Sequence, residues 1–379
     1  MSGPIERGGA HDEIRRRDID IFCLMPREEV EACGKEGTRV ENEMGRCVAV
    51  KAFAPAILFS FIYSLACIME GFDTILISNF FALPQFKEDF GCTQPGSVRN
   101  EEGGCEIPGG YQAGLLISAL VGQIIGIILS GWLTEKYGYR KTFLGALGAM
   151  SAAIFVVFFS PNLAMLVFGE FLCGIPWGVF QTLSASYSSD VCITPIRAYA
   201  TSWNNLCWVI GQLIASGVQQ PLVTDRTSLS YKLPLTLQWI WPVAIVILLV
   251  ISRAPESPWW LVRKGRTRDA IKAVKRLSKP KHLPEGYSAY NHVAMMTVTN
   301  EHEENDKDNG TGSTGYGDCF RGVNLRRTLI CCTVWAAQNA CGSSLMQAST
   351  YFLTQNGVNE LSAFNFTIGQ VSFFLISWP

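Results

Sequence analysis

Charge is the scarcest property of this sequence. Only 17 % of its 379 residues are charged, whereas about a quarter is usual in soluble domains, and 48 % are hydrophobic. A net charge of −1 offers no basic field to phosphates, which excludes a nucleic-acid-binding protein. The hydrophobic content excludes a disordered chain and a coiled coil. Stretches of about twenty residues without any charge indicate a membrane protein.

The residue patterns of metal and catalytic sites are also missing. The 13 cysteines show no CxxC spacing and are scattered along the chain, about half of them in apolar runs, so they read as small buried hydrophobic residues. Cys92 and Cys105 share one polar loop and could pair as a disulfide. No nucleophile lies near a base, so we expect no enzyme, metal or cofactor. The four histidines all lie in polar segments: His11, His282, His292 and His302.

Eight apolar runs follow the polar start of the chain. Most approach the roughly 20 residues that a helix needs to cross about 30 Å of hydrocarbon, and their many Gly and Ala residues favour close helix packing. They predict an all-α, polytopic membrane helix bundle with seven complete spans and an eighth that reaches the end of the sequence. The runs are Phe53–Leu83, Gly110–Leu133, Thr142–Phe159, Leu163–Tyr187, Thr201–Leu222, Leu235–Ile251, Thr328–Thr354 and Leu361–Trp378.

Basic residues predict the orientation of these spans. None of the 31 Lys and Arg residues lies within an apolar run. If the chain starts inside the cell, only Lys87, Arg99, Arg226 and Lys232 fall in outer loops. Because basic residues concentrate in cytosolic loops, we expect a multi-pass membrane protein with a cytosolic N-terminus. The expected location is the plasma membrane, although the sequence does not distinguish it from an internal membrane.

The polar segments divide the chain into four parts. Residues 1–50 form a cytosolic and largely flexible tail, 51–253 a six-helix unit, 254–326 a cytosolic loop, and 327–379 two further helices. Within the loop, Thr267 to Ser278 carries apolar residues on one helical face and basic residues on the other, which predicts an amphipathic helix along the cytosolic surface. The acidic, Gly-rich stretch from Glu301 to Asp318 is typical of disorder.

Three acids lie inside the predicted spans. Glu70 and Asp73 are three residues apart on one helical face, and Glu170 lies in span four. Acids are costly in a membrane and therefore point to function. Burial without a cationic partner favours the protonated form of a carboxyl group, as a proton carrier near neutral pH requires. The alternative is a protonated carboxyl that only hydrogen-bonds a neighbouring helix.

Neutral polar side chains line two further spans. Asn205 and Gln212 are two turns apart on one face of span five, and Gln338, Asn339 and Ser344 lie in span seven. Amides and hydroxyls that both donate and accept hydrogen bonds suit sugar hydroxyls. They also join helices to each other in lipid, and the sequence leaves both interpretations open.

Several motifs together resemble one transporter family. The loop after span two, Gly131 to Lys141, resembles G-x-x-x-D-x-x-G-R-[RK] of the major facilitator superfamily, with Glu135 in place of Asp. Pro255 to Leu261 is similar to P-E-S-P-R-W-L of its sugar porter branch, with Trp259 in place of Arg. Five other stretches resemble the fungal maltose/α-glucoside permeases: Glu70 to Thr74, Cys173 to Gln181, Asn205 to Gln212, Asp318 to Arg327 and Ser349 to Phe352.

The resemblance implies twelve helices in two six-helix halves, with the sugar bound between them near the midplane. It assigns sugar contacts to the five polar residues of spans five and seven, and a proton-linked role to Asp73. Glu170 stands where many sugar porters have Arg, which suits two carboxyls that share a proton. The resemblance also implies charge pairs that hold the cytosolic ends of the helices together: Glu135, Arg140, Asp190, Arg197 and Glu256.

The predicted spans cover the first six-helix half of that fold and about two helices of the second. We therefore expect a C-terminally truncated copy of a sugar:proton symporter for maltose or another α-glucoside, which works by alternating access and is inactive if the missing helices are required. The expected partners are a sugar, a proton and the lipid bilayer. A transporter-like sugar sensor and a non-functional remnant remain alternatives.

Overall fold

The computed structural model describes residues 22, 25–92, 98–99, 105–308 and 316–377. The chain divides into two compact units. Unit 1 contains Met1–Leu58, Ser188–Ala198 and Pro255–Leu325; unit 2 contains Phe59–Tyr187, Tyr199–Ala254 and Arg326–Pro379.

The described part is helical almost throughout. In chain order the helices and strands are α1 (Arg27–Glu43), α2 (Arg46–Ala52), α3 (Ala54–Phe80), α4 (Pro84–Phe86), β1 (Val98–Arg99), β2 (Cys105–Glu106), α5 (Gly109–Tyr137), α6 (Tyr139–Phe158), α7 (Leu163–Val191), α8 (Thr194–Gln219), α9 (Leu229–Leu237), α10 (Ile240–Ser252), α11 (Pro258–Arg263), α12 (Thr267–Leu277), α13 (Ala289–Asp308), α14 (Gly322–Gln338), α15 (Ser344–Gln347), α16 (Ser349–Gln355) and α17 (Glu360–Ser377).

Five of the described helical stretches are long and apolar enough to cross a membrane: α3, α5, α6, α7 and the stretch Leu229–Ser252 that contains α9 and α10. They correspond to spans one to four and six of the eight expected. Span five is the 26-residue helix α8, which carries more polar side chains. Span seven is interrupted at Asn339–Ser343, where Gly342 has φ 96°. The shorter apolar helix α17 forms the eighth.

Glycines bring α5 and α7 into backbone contact. Gly122 and Gly126 on α5 face Gly174 and Gly178 on α7, one turn apart on each helix. A Cβ atom added at Gly126 would overlap the carbonyl oxygen of Ile175. This paired small-xxx-small arrangement is typical of helices that pack closely in lipid.

Helices α3 and α8 pair along most of their length. In the middle they cross at Gly71 and Gly211, where each glycine faces backbone of the other helix. Near one end the Ser64 hydroxyl donates to the amide oxygen of Asn204. Near the other, Asn79 Nδ2 donates to Gln219 Oε1 at 2.7 Å. Two buried polar contacts therefore fix the register on either side of the glycine crossing.

A disulfide joins Cys92 and Cys105, a pairing that the sequence left open. Their Cα atoms are 5.3 Å apart, within the usual range for a disulfide. Strands β1 and β2 form a small antiparallel hairpin in which Arg99 lies opposite Cys105. The bond therefore ties the segment after α4 to the residues that precede α5.

Unit 1 corrects two expectations about the polar segments. The N-terminal tail is not flexible where the structure describes it after Met25, because α1 and α2 are regular helices. The acidic stretch 301–318 is not disordered at its start, because α13 continues to Asp308; residues 309–315 lie outside the described part. Helix α1 packs along α13. Gly37 permits this contact, since a Cβ atom there would meet the backbone of Asn291.

The amphipathic helix expected from Thr267 is present as α12. Its apolar side chains Ala270, Val274 and Leu277 are buried. They lie on a helix that packs against α11 and α13. The protein itself therefore covers the apolar face, and the polar face is the one left exposed.

A buried carboxylate caps the start of α8. Glu41 Oε1 accepts hydrogen bonds from the backbone N–H of Thr194 at 2.8 Å and from its hydroxyl at 2.7 Å. A carboxylate at a helix N-terminus also interacts favourably with the helix dipole. His292 Nδ1 lies 3.7 Å from the other Glu41 oxygen, and both side chains are buried. Burial lowers the pKa of His292 and, with the repulsion from Arg197, outweighs the attraction of Glu41.

We expect Gly178→Val to disrupt unit 2, because its side chain would meet the Gln123 carbonyl oxygen and the backbone of α5. Overpacking of this kind costs about 1–3 kcal/mol or more. The measurement is the detergent-extracted monodisperse fraction of the full chain and its thermal midpoint. Gly148→Val is the matched control, since no atom lies within 4 Å of the Cβ position there. Equal behaviour of the two variants would contradict the close packing of α5 and α7.

The stability of unit 1 should decrease as pH falls below about 6.5, the usual pKa of histidine in an unfolded chain. There the unfolded chain binds a proton that buried His292 resists, because its pKa is lowered in the folded protein. The free energy of unfolding then decreases by up to about 1.4 kcal/mol per pH unit, until the pH reaches the pKa of His292 in the folded protein.

Thermal unfolding at pH 7.5 and 5.5 measures this dependence. His292→Gln should reduce the loss of stability on acidification, whereas His302→Gln, at an exposed position of the same helix, should leave it unchanged. An undiminished loss in His292→Gln would show that another group is responsible.

Candidate functional site

The three acids predicted inside the membrane spans are buried in unit 2. Glu70, Asp73 and Glu170 are only 3 %, 1 % and 2 % exposed. Asp73 lies within electrostatic range of both other acids. Within the described part of the chain no Lys or Arg side chain forms an ion pair with any of them.

Two glutamine side chains hold Glu70. Gln123 Nε2 on α5 and Gln181 Nε2 on α7 donate to Glu70 Oε1 at 2.9 and 2.7 Å. The glycine contacts between α5 and α7 place both amides on the same carboxyl oxygen, because Gln123 adjoins Gly122 and Gln181 lies one turn after Gly178. The other oxygen of Glu70 has no hydrogen-bond partner among the described residues.

Asp73 and Glu170 have fewer partners. Gln238 Nε2 donates to Asp73 Oδ1. Gln238 lies between α9 and α10, where the helix is interrupted near the apolar run predicted as span six. Among the described residues, the second oxygen of Asp73 and Glu170 Oε1 are buried without a hydrogen-bond partner. Together with Glu70 Oε2, the cluster therefore has three carboxyl oxygens that can accept a further hydrogen bond or a proton.

Sequence reasoning missed the amides that bind these acids. Gln123, Gln181 and Gln238 each lie in or beside an apolar run, where an isolated amide is costly unless it is hydrogen-bonded. That cost is a signal available from sequence. The pairing itself is not, since the partners lie far apart along the chain.

The predicted sugar-contacting amides of span five lie on α8. Gln212 is buried, and its Nε2 has no hydrogen-bond partner in the described part of the chain. It immediately follows Gly211, at the crossing with α3. Asn205 is exposed, whereas its neighbour Asn204 is buried and bonded to Ser64. Gln212 therefore lies where α8 crosses α3, the helix that carries Glu70 and Asp73.

The predicted sugar-contacting residues of span seven lie at a helix interruption. Gln338 ends α14 and Asn339 begins the π-helical segment that follows. Both are exposed, and Asn339 Nδ2 donates to the carbonyl oxygen of Trp335 at 3.2 Å. Ser344 is the first residue of α15, and its side chain lies outside the described part.

The residues predicted to form the cytosolic charge network fall into both units. Glu135 and Arg140 flank Gly138 of unit 2, whose φ of 87° forms the turn between α5 and α6. In unit 1, Asp190 Oδ2 accepts a hydrogen bond from the Ser257 hydroxyl at 2.6 Å. Ser257 is the residue that follows Glu256 in the chain. All five predicted network residues make polar or electrostatic contacts.

A small cavity in unit 1 brings two of these residues together. It has a volume of about 20 Å³, enough for about one water molecule. Asp190 and Arg197 line it together with Glu41 and His292. The buried acid and histidine of unit 1 therefore share an environment with two members of the predicted network.

Comparison with known proteins identifies relatives that match most of the chain. The profile of the sugar (and other) transporter family matches residues 59–377. A maltose permease of Saccharomyces cerevisiae is 37 % identical over 351 residues, which cover 91 % of this chain and 55 % of the permease. A general alpha-glucoside permease of the same organism is 38 % identical over 337 residues, covering 88 % and 53 %. The chain thus spans about half the length of the curated relatives it matches.

Solved structures show the same fold at lower identity. The xylose transporter XylE from E. coli, in a partially occluded inward-open conformation, matches with a TM-score of 0.56 at 18 % identity and covers 85 % of each chain. The major facilitator superfamily proton:xylose symporter XylE bound to 6-bromo-6-deoxy-D-glucose gives 0.57 at 17 %, covering 86 % of this chain and 80 % of that one.

These similarities confirm the resemblance derived from the motifs. The relatives are permeases and transporters, not enzymes. The fold is the all-α membrane bundle of the major facilitator superfamily. The family profile covers most of the chain. This chain therefore belongs to the sugar (and other) transporter family.

Proposed function

We propose that this chain is part of a proton-coupled permease for maltose or a related α-glucoside, in which Asp73 is the carboxyl that takes up and releases the proton. The observation that carries the proposal is the buried cluster of Glu70, Asp73 and Glu170 without a basic partner in the described structure. The substrate class rests on the identity to maltose and alpha-glucoside permeases.

Differences in hydrogen bonding favour Asp73 over Glu70 as the proton carrier. Two amide N–H groups stabilise a negative charge on Glu70. Asp73 has one such donor and lies near Glu170. Two close carboxyls in a medium of low dielectric constant hold one proton between them more easily than none. In this proposal Glu70 fixes the geometry while Asp73 and Glu170 share the proton.

The helix crossing couples this proton to the sugar. Gln212 has an unpaired amide beside Gly211, and Asp73 lies two residues after Gly71 on the opposing helix. A sugar hydroxyl bound by Gln212 would lie near the contact that positions Asp73. Asn205, Gln338, Asn339 and Ser344 complete the proposed sugar site.

The proposed orientation places the N-terminus in the cytosol and the protein in the plasma membrane. Rocking of the two halves around the central site would then expose that site to each side in turn. Glu135, Arg140, Asp190, Arg197 and Glu256 would hold the cytosolic side closed while the site faces outwards.

Uptake of radiolabelled maltose tests proton coupling. In cells without other maltose transporters, uptake should be faster at pH 5 than at pH 7. Asp73→Asn should reduce uptake at least about tenfold and remove the dependence on pH, because the amide cannot carry the proton. Glu88→Gln, which neutralises an exposed acid, is the control.

Each outcome of the uptake experiment has a definite meaning. Acid-stimulated uptake by Asp73→Asn would exclude Asp73 as the proton carrier. No uptake by the unaltered chain, despite confirmed membrane insertion, would refute transport by this 379-residue sequence alone.

Sugar binding can be measured without transport. Gln212→Ala should weaken maltose binding to the purified chain about fivefold to tenfold, the effect of losing one buried hydrogen bond of about 1 kcal/mol. Calorimetry or tryptophan fluorescence provides the measurement. Gln220→Ala, in the 3-10 turn that follows the same helix, should bind like the unaltered protein. Equal affinity of all three proteins for maltose would show that Gln212 does not contribute to sugar binding.

A further inference from the structure

The exposed face of α12 and the segment after it are strongly basic, but part of this charge is already paired. Arg266 and Lys272 bind Asp269 at 2.7 and 3.2 Å, and these contacts lower the pKa of the Asp269 carboxyl. Lys279 and Lys281, which follow the helix, are exposed and make no ion pair within the described residues. Unpaired positive charge therefore continues beyond the end of α12, at Lys279 and Lys281.

This segment is fixed to the start of the first membrane helix. The backbone N–H of Lys279 donates to the carbonyl oxygen of Ala52 at 2.7 Å. The 3-10 turn Pro280–His282 packs against α2. Because α3 begins at Ala54, Lys279 and Lys281 lie beside the point where the chain enters its first apolar helix. Lys51, exposed and likewise without an ion pair in the described structure, precedes Ala52 on α2.

Apolar side chains accompany these lysines. Val48 and Val50 on α2 are 43 % and 47 % exposed, although they belong to a seven-residue helix with two other residues buried. Exposed valines beside lysines at the end of a membrane helix match the boundary between headgroups and acyl chains. There the apolar groups leave water, and a lysine extends its amine towards the phosphates.

We propose that Lys51, Lys279 and Lys281 form a basic collar that binds the phosphate groups of anionic phospholipids around the entry of α3. Each ammonium group supplies three hydrogen-bond donors and a full positive charge, which suits phosphate oxygens. The position beside α3 and the exposed valines favour a lipid over a dissolved phosphate, because a soluble anion would gain nothing from the apolar groups. The collar also links the segment after α12 to α2 through lipid, in addition to the backbone hydrogen bond from Lys279 to Ala52.

The proposal is independent of sugar transport and can be tested on the purified chain. Native mass spectrometry in a neutral detergent would count bound phosphatidylserine and, separately, phosphatidylcholine. The test variant is Lys279→Gln/Lys281→Gln. The matched control is Arg266→Gln/Lys272→Gln, which removes the same number of charges from the same segment, where Asp269 already neutralises them in part.

We expect the unaltered chain to prefer phosphatidylserine. A lysine near an anionic surface contributes about fivefold in affinity, so the test variant should lose about 30-fold and the control less than about threefold. Lys279→Arg/Lys281→Arg keeps the charge and should retain most of the binding. Because the substituted side chains are exposed, thermal midpoints should not differ among the variants.

Three results would overturn the proposal. The first is unchanged phosphatidylserine binding by the test variant, and the second is an equal loss in the control. The third is displacement of phosphatidylserine by millimolar inorganic phosphate, which would show that the lysines recognise a free anion and not a lipid.

Discussion

Close approach of helix backbones at glycine is the constraint on which the buried polar cluster depends. Gly122 and Gly126 meet Gly174 and Gly178, and Gly71 meets the backbone beside Gly211. At these places even one methyl group would overlap a carbonyl oxygen of the neighbouring helix. Only at this separation can glutamines from α5 and α7 both reach a carboxyl on α3. The glycines thus contribute by setting the distance between helices, since they have no functional side chain of their own.

The cluster that results is built from amides and acids without a cation. In water such a group would have little effect, but in a protein interior the hydrogen bonds and the repulsion between carboxyls are both stronger. Glu70 receives two donors, Asp73 one, and Glu170 Oε1 has none among the described residues. Environment thus makes three similar carboxyls unequal, which is a requirement for one of them to exchange a proton while another stays fixed.

Unit 1 is stabilised differently, because packing and helix capping order its polar segments. Helix α1 has few apolar residues, but Gly34 and Gly37 allow it to lie directly on α13. At its end, Glu41 satisfies the first backbone donor of α8, the helix that carries Gln212. Asp190 and Arg197 line the same small cavity as that cap.

The sequence alone determined the membrane helices, the three buried acids and the family, because each depends on residue type and local spacing. Long apolar runs can only be buried or lie in lipid, and an acid within them is conspicuous. It did not determine the order of α1 and the first part of the acidic stretch, whose low hydrophobicity is offset by contacts between residues about 250 positions apart, such as Gly37 and Asn291.

Only the tertiary structure decided which amides face which acids. In the sequence, Gln123, Gln181 and Gln238 are only isolated amides in apolar runs. They become partners of Glu70 and Asp73 because glycine crossings and a helix interruption set their positions. A hydrogen bond requires two atoms within about 3 Å, and that distance depends on how whole helices pack rather than on any local pattern.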